Sequence, residues 1–169
     1  LNFALGIEYV EQEFFRRGNE AGLLSGRQAA YLEQISVEEQ AHVALLTETI
    51  IDVGGTADVA PGLHFGGSFA DAGRYLETAA MIERTAVRGH LAALSGLLGD
   101  PELIQTLAGV FGVEARHAAL TADFAGHPIE DGVFRGWREE PMISGQVMAA
   151  FQPFLSGAGA AADEAATTQ

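Results

Sequence analysis

Cysteine is absent from the 169 residues, which excludes disulfides, thiolate metal sites and iron–sulfur clusters. Lysine is absent as well. All nine basic residues are arginine and stand against 23 acidic ones, for a formal charge of −14. Binding to nucleic acid rests on Lys and Arg contacts to phosphate, so this balance argues against a nucleic-acid partner. An acidic surface draws cations instead. No apolar run approaches the ~20 residues that a membrane span requires, so none is expected. The first position holds Leu1 rather than methionine, and the first helical pattern starts in mid-stripe. An N-terminal piece is therefore expected to be missing, and any export leader would have gone with it.

What the chain does have is a repeated pair of motifs. Glu39-Gln-Ala-His42 and Glu114-Ala-Arg-His117 are both Glu-x-x-His, a spacing that puts carboxylate and imidazole on one helix face. Each motif has a lone glutamate 31 residues upstream, Glu8 and Glu83, so the second set repeats the first at an offset of 75. A lone Glu from two helices and a Glu-x-x-His from two others is the ligand set of a dinuclear metal site in a bundle core.

The hydrophobic periodicity supplies the helices. Leu1, Leu5, Glu8, Gln12 and Phe15 form one stripe over 1–17, ended by Gly18 and Asn19. Ser25 is placed to cap a second helix over 26–51, with Leu32, Ile35, Glu39, His42 and Leu46 inward. Residues 53–68 hold five glycines and a proline and read as a crossover along the length of the bundle. A third helix over 69–98 faces Leu76, Ala80, Glu83, Val87, His90 and Leu94 inward. Asp100 and Pro101 start a fourth helix over 101–125, which presents Leu103, Leu107, Val110, Glu114, His117, Thr121 and Phe124. Gly109 and Gly112 lower its propensity by ~1 kcal/mol each, for close packing or for room beside the site. Residues 126–141, with the only Trp, are irregular. A short helix over 144–152 is expected to cap the bundle through Val147, Met148 and Phe151. The expected architecture is all-α: two antiparallel helical hairpins, a long crossover between them, and a short C-terminal helix. One domain spans 1–155, and an Ala/Gly/Thr-rich tail over 156–169 is expected to be disordered.

Four buried carboxylates with nothing to offset them would unfold a domain worth only ~5–15 kcal/mol. Either these glutamates lie at the surface or cations meet them, and the apolar residues one turn above and below each favour the second. Two divalent ions would neutralise Glu8, Glu39, Glu83 and Glu114. The donor set suits iron, with manganese as the alternative. Chain symmetry pairs Glu8 with His42 at one ion and Glu83 with His117 at the other, with Glu39 and Glu114 bridging.

Around this set, Glu38 is either the acceptor for the second N–H of His117, with Arg116 pairing across to it, or a solvated glutamate. His90 reads as a satisfied core histidine rather than an extra ligand. Glu11 and Gln12 read as a solvated helix edge that could line an access path. Tyr9, directly after Glu8, reads as packing between helices rather than as a redox residue, and His64 and His127 as loop residues.

The segments LNFALGIEYVEQEFFRRG, EEQAHVALL, FADAGRYLETAAMIERTAVRGHL, FGVEARHAAL and PMISGQVMAAFQPFL resemble the ferritin-like superfamily, in its desiccation-related branch, over about residues 1–155. The resemblance implies a four-helix bundle with a di-iron or di-manganese site at Glu8, Glu39, His42, Glu83, Glu114 and His117. It also implies that the protein is exported, periplasmic or extracellular. One departure stands out: Val113 occupies a position that is acidic in some oxygen-activating relatives, which leaves His42 without that acceptor. The activity expected is oxidation of Fe(II) by O2 or peroxide, in stress protection. The alternative is a non-enzymatic desiccation or stress-protection protein with a structural metal. A homodimer and a 24-subunit storage shell are both open on the sequence, the shell being disfavoured by the irregular stretch after Gly126.

Overall fold

The computed structural model describes residues 1–155; the expected disorder of 156–169 lies outside the described residues. Four long helices form the bundle: α1 (Asn2–Glu20), α2 (Gly26–Asp52), α3 (Ala72–Leu94) and α4 (Pro101–Phe124). A fifth, α5 (Ser144–Phe151), follows the irregular stretch. The fold is the all-α four-helix bundle with a short C-terminal helix, two hairpins joined by a long crossover. Among the described residues no helix is long and apolar enough to cross a membrane.

The helix ends follow local chemistry. Asp100 accepts from the Leu103 amide, and Pro101 occupies the first turn of α4 where an N–H would be unsatisfied anyway. Asp71 caps α3 by accepting from the Arg74 amide, so that helix starts at Ala72 rather than at 69. A 3₁₀ turn over Gly66–Phe69 and another over Ser95–Leu97 take up the residues between. Ser25 sits at the cap position of α2 without a side-chain bond to it.

α1 runs three residues beyond the expected stop at 17, and tertiary packing is the reason. The Tyr75 ring packs against Gly18, where any Cβ would collide with it. Tyr75 Oη donates to Asn19 Oδ1 at 3.1 Å, and Asn19 Nδ2 donates to the Leu32 carbonyl at 3.0 Å. Residues that usually break a helix thus hold it against two neighbours. At the other end of the same interface Ile7 and Val147 close on Gly89. These contacts set α1 and α3 antiparallel.

The core divides into two apolar clusters. One gathers Ile7, Val10, Phe14, Phe15, Leu32, Ile35, Tyr75, Leu76, Ala79 and Ile82 with Phe65, Val147, Phe151 and Phe154. Phe14 lies at its middle, 5.2 Å from both Phe65 and Phe69. The other gathers Ala4, Leu5, Leu46, Ile50, Leu107 and Val110. The crossover is tied to α1 by Asn2 Nδ2 donating to the Thr56 carbonyl at 2.8 Å and by the Tyr9 hydroxyl donating to the Asp58 carbonyl at 3.0 Å. In α5, Val147 and Phe151 are buried, while Met148, expected beside them, is half exposed. Gly109 and Gly112 serve no close packing, since a Cβ at either would meet nothing.

Candidate metal centre

Between the two apolar clusters lies a polar layer. α1 contributes Glu8, α2 Glu39 and His42, α3 Glu83, α4 Glu114 and His117; all four carboxylates are fully buried and both imidazoles nearly so. The 3.6-residue period puts each Glu-x-x-His on one face, and the leucines and valines a turn away turn that face inward.

The distances are those of a converging set. His42 Nδ1 lies 2.8 Å from Glu114 Oε1, 3.2 Å from Glu39 Oε2 and 3.3 Å from Glu8 Oε2. His117 Nδ1 lies 2.8 Å from Glu39 Oε1, 3.5 Å from Glu114 Oε2 and 3.8 Å from Glu83 Oε1. Glu39 and Glu114 each offer one oxygen to the His42 side and the other to the His117 side. Two groups of ligand atoms follow, each within 4.8 Å: Glu8, Glu39, His42, Glu114, and Glu39, Glu83, Glu114, His117.

An imidazole Nδ1 carries at most one proton, so neither ring can satisfy the three carboxylates around it. The oxygens of Glu8, Glu83 and Glu114 have no hydrogen-bond partner among the described residues. Buried charge of that density is tolerated when cations meet it. The residues present therefore fit a pair of metal ions in donor type, burial and convergence.

His117 is oriented for that role. Its Nε2 lies 2.7 Å from Glu38 Oε2. With the Nε2–H donated to Glu38, the Nδ1 lone pair points into the centre, the tautomer a ligand needs. Glu38 also accepts from Gln34 Nε2 at 2.9 Å. Arg116 does not pair with Glu38 as expected; it donates to the Gly112 carbonyl one turn back at 2.9 Å, which keeps its guanidinium on the solvent side of α4. His42 has no counterpart to Glu38, because the equivalent position holds Val113.

Without ions the cluster must hold protons. Burial pushes His42 and His117 down, but the surrounding carboxylates outweigh it and raise them to about 12 and about 11. Burial, with Glu114 adding to it, raises Glu39 to about 7, and burial raises Glu83 well above the carboxylate range. Glu114 is also pushed up by burial, yet the imidazoles of His117 and His42 beside it prevail and lower it to about 2.

Two further side chains belong to this layer. His90 is fully buried, with Nδ1 2.9 Å from the Ala86 carbonyl and Nε2 2.8 Å from Glu8 Oε1. Its Nδ1 is satisfied by that carbonyl, as expected of a core histidine, but its Nε2 makes only a charge contact, to a carboxylate of the centre. Glu11, read from the sequence as a solvated edge, is completely buried. Gln12 instead lines a surface cavity with Tyr9, Glu13 and Arg17 beneath the crossover. The stripe on α1 runs 8, 11, 15 rather than 8, 12, 15; steps of three and four fit both. The stripe through 11 puts a fifth carboxylate inside the bundle. His127, in its loop, contacts Glu77 at 3.0 Å.

Comparison with known proteins agrees with this architecture. The sequence profile of the ferritin-like domain matches residues 1–127. The chain belongs to the ferritin-like domain family. No curated protein matches the chain significantly. The ferritin-like match takes in all four bundle helices and every residue of the polar layer, and ends before α5.

Proposed function

We propose that this ferritin-like chain holds two metal ions, iron with manganese as the alternative, and that the site oxidises Fe(II) with O2 or peroxide. The observation that carries the reading is the split of Glu39 and Glu114, whose paired oxygens face the two imidazoles on opposite sides. A carboxylate that serves two ions needs that arrangement. Glu8 and Glu83 are then the terminal carboxylates and His42 and His117 the single imidazole of each ion. A pair of Fe(II) ions held there would supply the two electrons that, with two protons, reduce peroxide to two waters. The protein contributes a matched charge, a fixed His117 tautomer and a layer walled by apolar clusters. Glu39, raised to about 7, is partly protonated near neutral pH, and ion binding would displace that proton.

The resemblance to the desiccation-related branch supports a place in stress protection and an exported, periplasmic or extracellular setting. A homodimer belongs to the same proposal. The second reading, a structural metal in a non-enzymatic protein, is favoured by the fully buried donor set alone.

Elemental analysis of wild type and of an E39A/E114A variant tests the centre. About two iron or manganese per chain, lost in the variant, is the expected result. No metal after reconstitution with Fe(II), in a folded wild type, would sink the dinuclear reading. Peroxide consumption by the iron-loaded protein then separates the two functions: turnover supports the redox site, and a thermal shift without turnover supports the structural one.

A further inference from the structure

Glu11 is the one carboxylate of the polar layer to which the dinuclear reading gives no part. It lies three residues after Glu8 on the same inward face of α1 and is fully buried. Neither of its oxygens has a hydrogen-bond partner among the described residues, and no arginine reaches it. A carboxyl in that state is costly to keep, and a bundle gains nothing in packing from it that leucine would not supply better.

The helix register says where it sits. α1 and α3 run antiparallel between the contacts Gly18–Tyr75 and Ile7–Gly89. Counting between those contacts brings Glu11 beside Glu83, while His90, further along α3, touches Glu8. The charges it feels agree: after burial, Glu114, Glu39, Glu83 and Glu8 all act to raise its pKa.

We propose that Glu11 is a seventh protein ligand of the metal centre, taken up by the ion on the Glu83–His117 side. The proposal rests on the metal-centre reading above. Glu11 stands outside both tight groups of four, so it joins by rotation of its own side chain. The 75-residue repeat has no second copy of it, since the equivalent position is Ala86. The two ions are therefore inequivalent. One takes Glu83, His117, Glu11 and the shared carboxylates; the other takes Glu8, whose second oxygen is engaged by His90, with His42 and the shared carboxylates. The Glu8–His42 ion keeps the more open coordination and is the one where a small ligand such as peroxide would bind.

Titration of metal-free wild type and E11Q with Co(II), followed by visible absorbance and by dialysis with elemental analysis, tests this without recourse to activity. Circular dichroism first establishes that the variant is folded. Wild type should take two ions. E11Q should take one with unchanged affinity and the other at least tenfold more weakly, with a changed absorbance for that ion only. Two ions bound by E11Q with wild-type affinities and an unchanged spectrum would overturn the proposal while leaving the centre intact. Wild type that binds no ion would overturn the centre itself, and this inference with it. If E11Q does not fold, E11D decides: a carboxylate one methylene shorter weakens the same ion if it is a ligand, and unchanged affinities refute the assignment.

Discussion

Replacing Glu83 by glutamine should reverse the order of stability between metal-free and metal-loaded protein. Glu83 is fully buried, both its oxygens lack hydrogen-bond partners among the described residues, and burial raises its pKa well above the carboxylate range. In the metal-free bundle it is a liability that a neutral isostere removes. The amide can also donate to neighbouring carboxylates. Relief of one unsatisfied buried polar group stabilises by about 2 kcal/mol. For a domain of this size that is roughly 4–8 °C in midpoint. Metal acts in the opposite direction. Each ion present at 100 times its dissociation constant stabilises the native state by ~2.7 kcal/mol, so two give about 5 kcal/mol, or roughly 10–20 °C. E83Q takes away a terminal ligand and should lose at least half of that shift. Differential scanning calorimetry with and without chelator reads both effects. With chelator E83Q should melt above wild type; with Mn(II) or Fe(II) under anaerobic conditions it should melt below. A variant less stable than wild type by the same amount in both conditions would refute the reasoning, because Glu83 would then be an ordinary structural residue.

Other outcomes follow from the same geometry. The metal-free protein should lose stability as pH rises from 6.5 to 9. His42 and His117 are raised from 6.5 to about 12 and about 11, and Glu39 from 4.5 to about 7. Groups raised on folding stabilise fully below their unfolded values, and that contribution fades as pH climbs toward the folded ones. The metal-loaded form should be flatter over that range, since deprotonated ligands bind ions better; a metal-free midpoint that rises with pH would contradict the charge assignment. Glu38→Gln should weaken one ion by about 10–100-fold, through loss of the acceptor that orients His117. Val113→Glu, which offers His42 the missing acceptor, should tighten the other ion; equilibrium dialysis measures both. Gly18→Ala should destabilise by about 1–3 kcal/mol through collision with the Tyr75 ring, visible in urea unfolding, whereas Gly109→Ala should not destabilise.

The sequence was most legible where chemistry and periodicity coincide. Glu39, Glu114 and His117 each lie between apolar residues a turn away, and His42 lies between Glu39 and Leu46, so a single helical period places their faces. The Asp100–Pro101 start of α4 was equally readable, since both residues act on the backbone beside them. The contact between Glu38 and His117 was one of two open readings, and the fold decides it by bringing α2 and α4 side by side. Misreadings arose where distant residues decide. Gly18 and Asn19 look like a helix stop because the partner that retains them, Tyr75, lies 56 or more residues away. Arg116 was assigned a partner across the bundle, yet a carbonyl on its own helix was nearer. Glu11 is hidden in the sequence because steps of three and four admit two stripes, through 11 or through 12.

The crossover supplies no member of the polar layer, and each hairpin alone is incomplete. Each four-residue group takes three members from one hairpin and borrows its last from the other, Glu114 in one case and Glu39 in the other. The centre is therefore a seam between two separable halves. A chain cut within the exposed stretch 53–56 would leave two fragments of similar design, and assembling them and filling the site would become one equilibrium. Ion concentration would then set how much of the cleaved protein is whole.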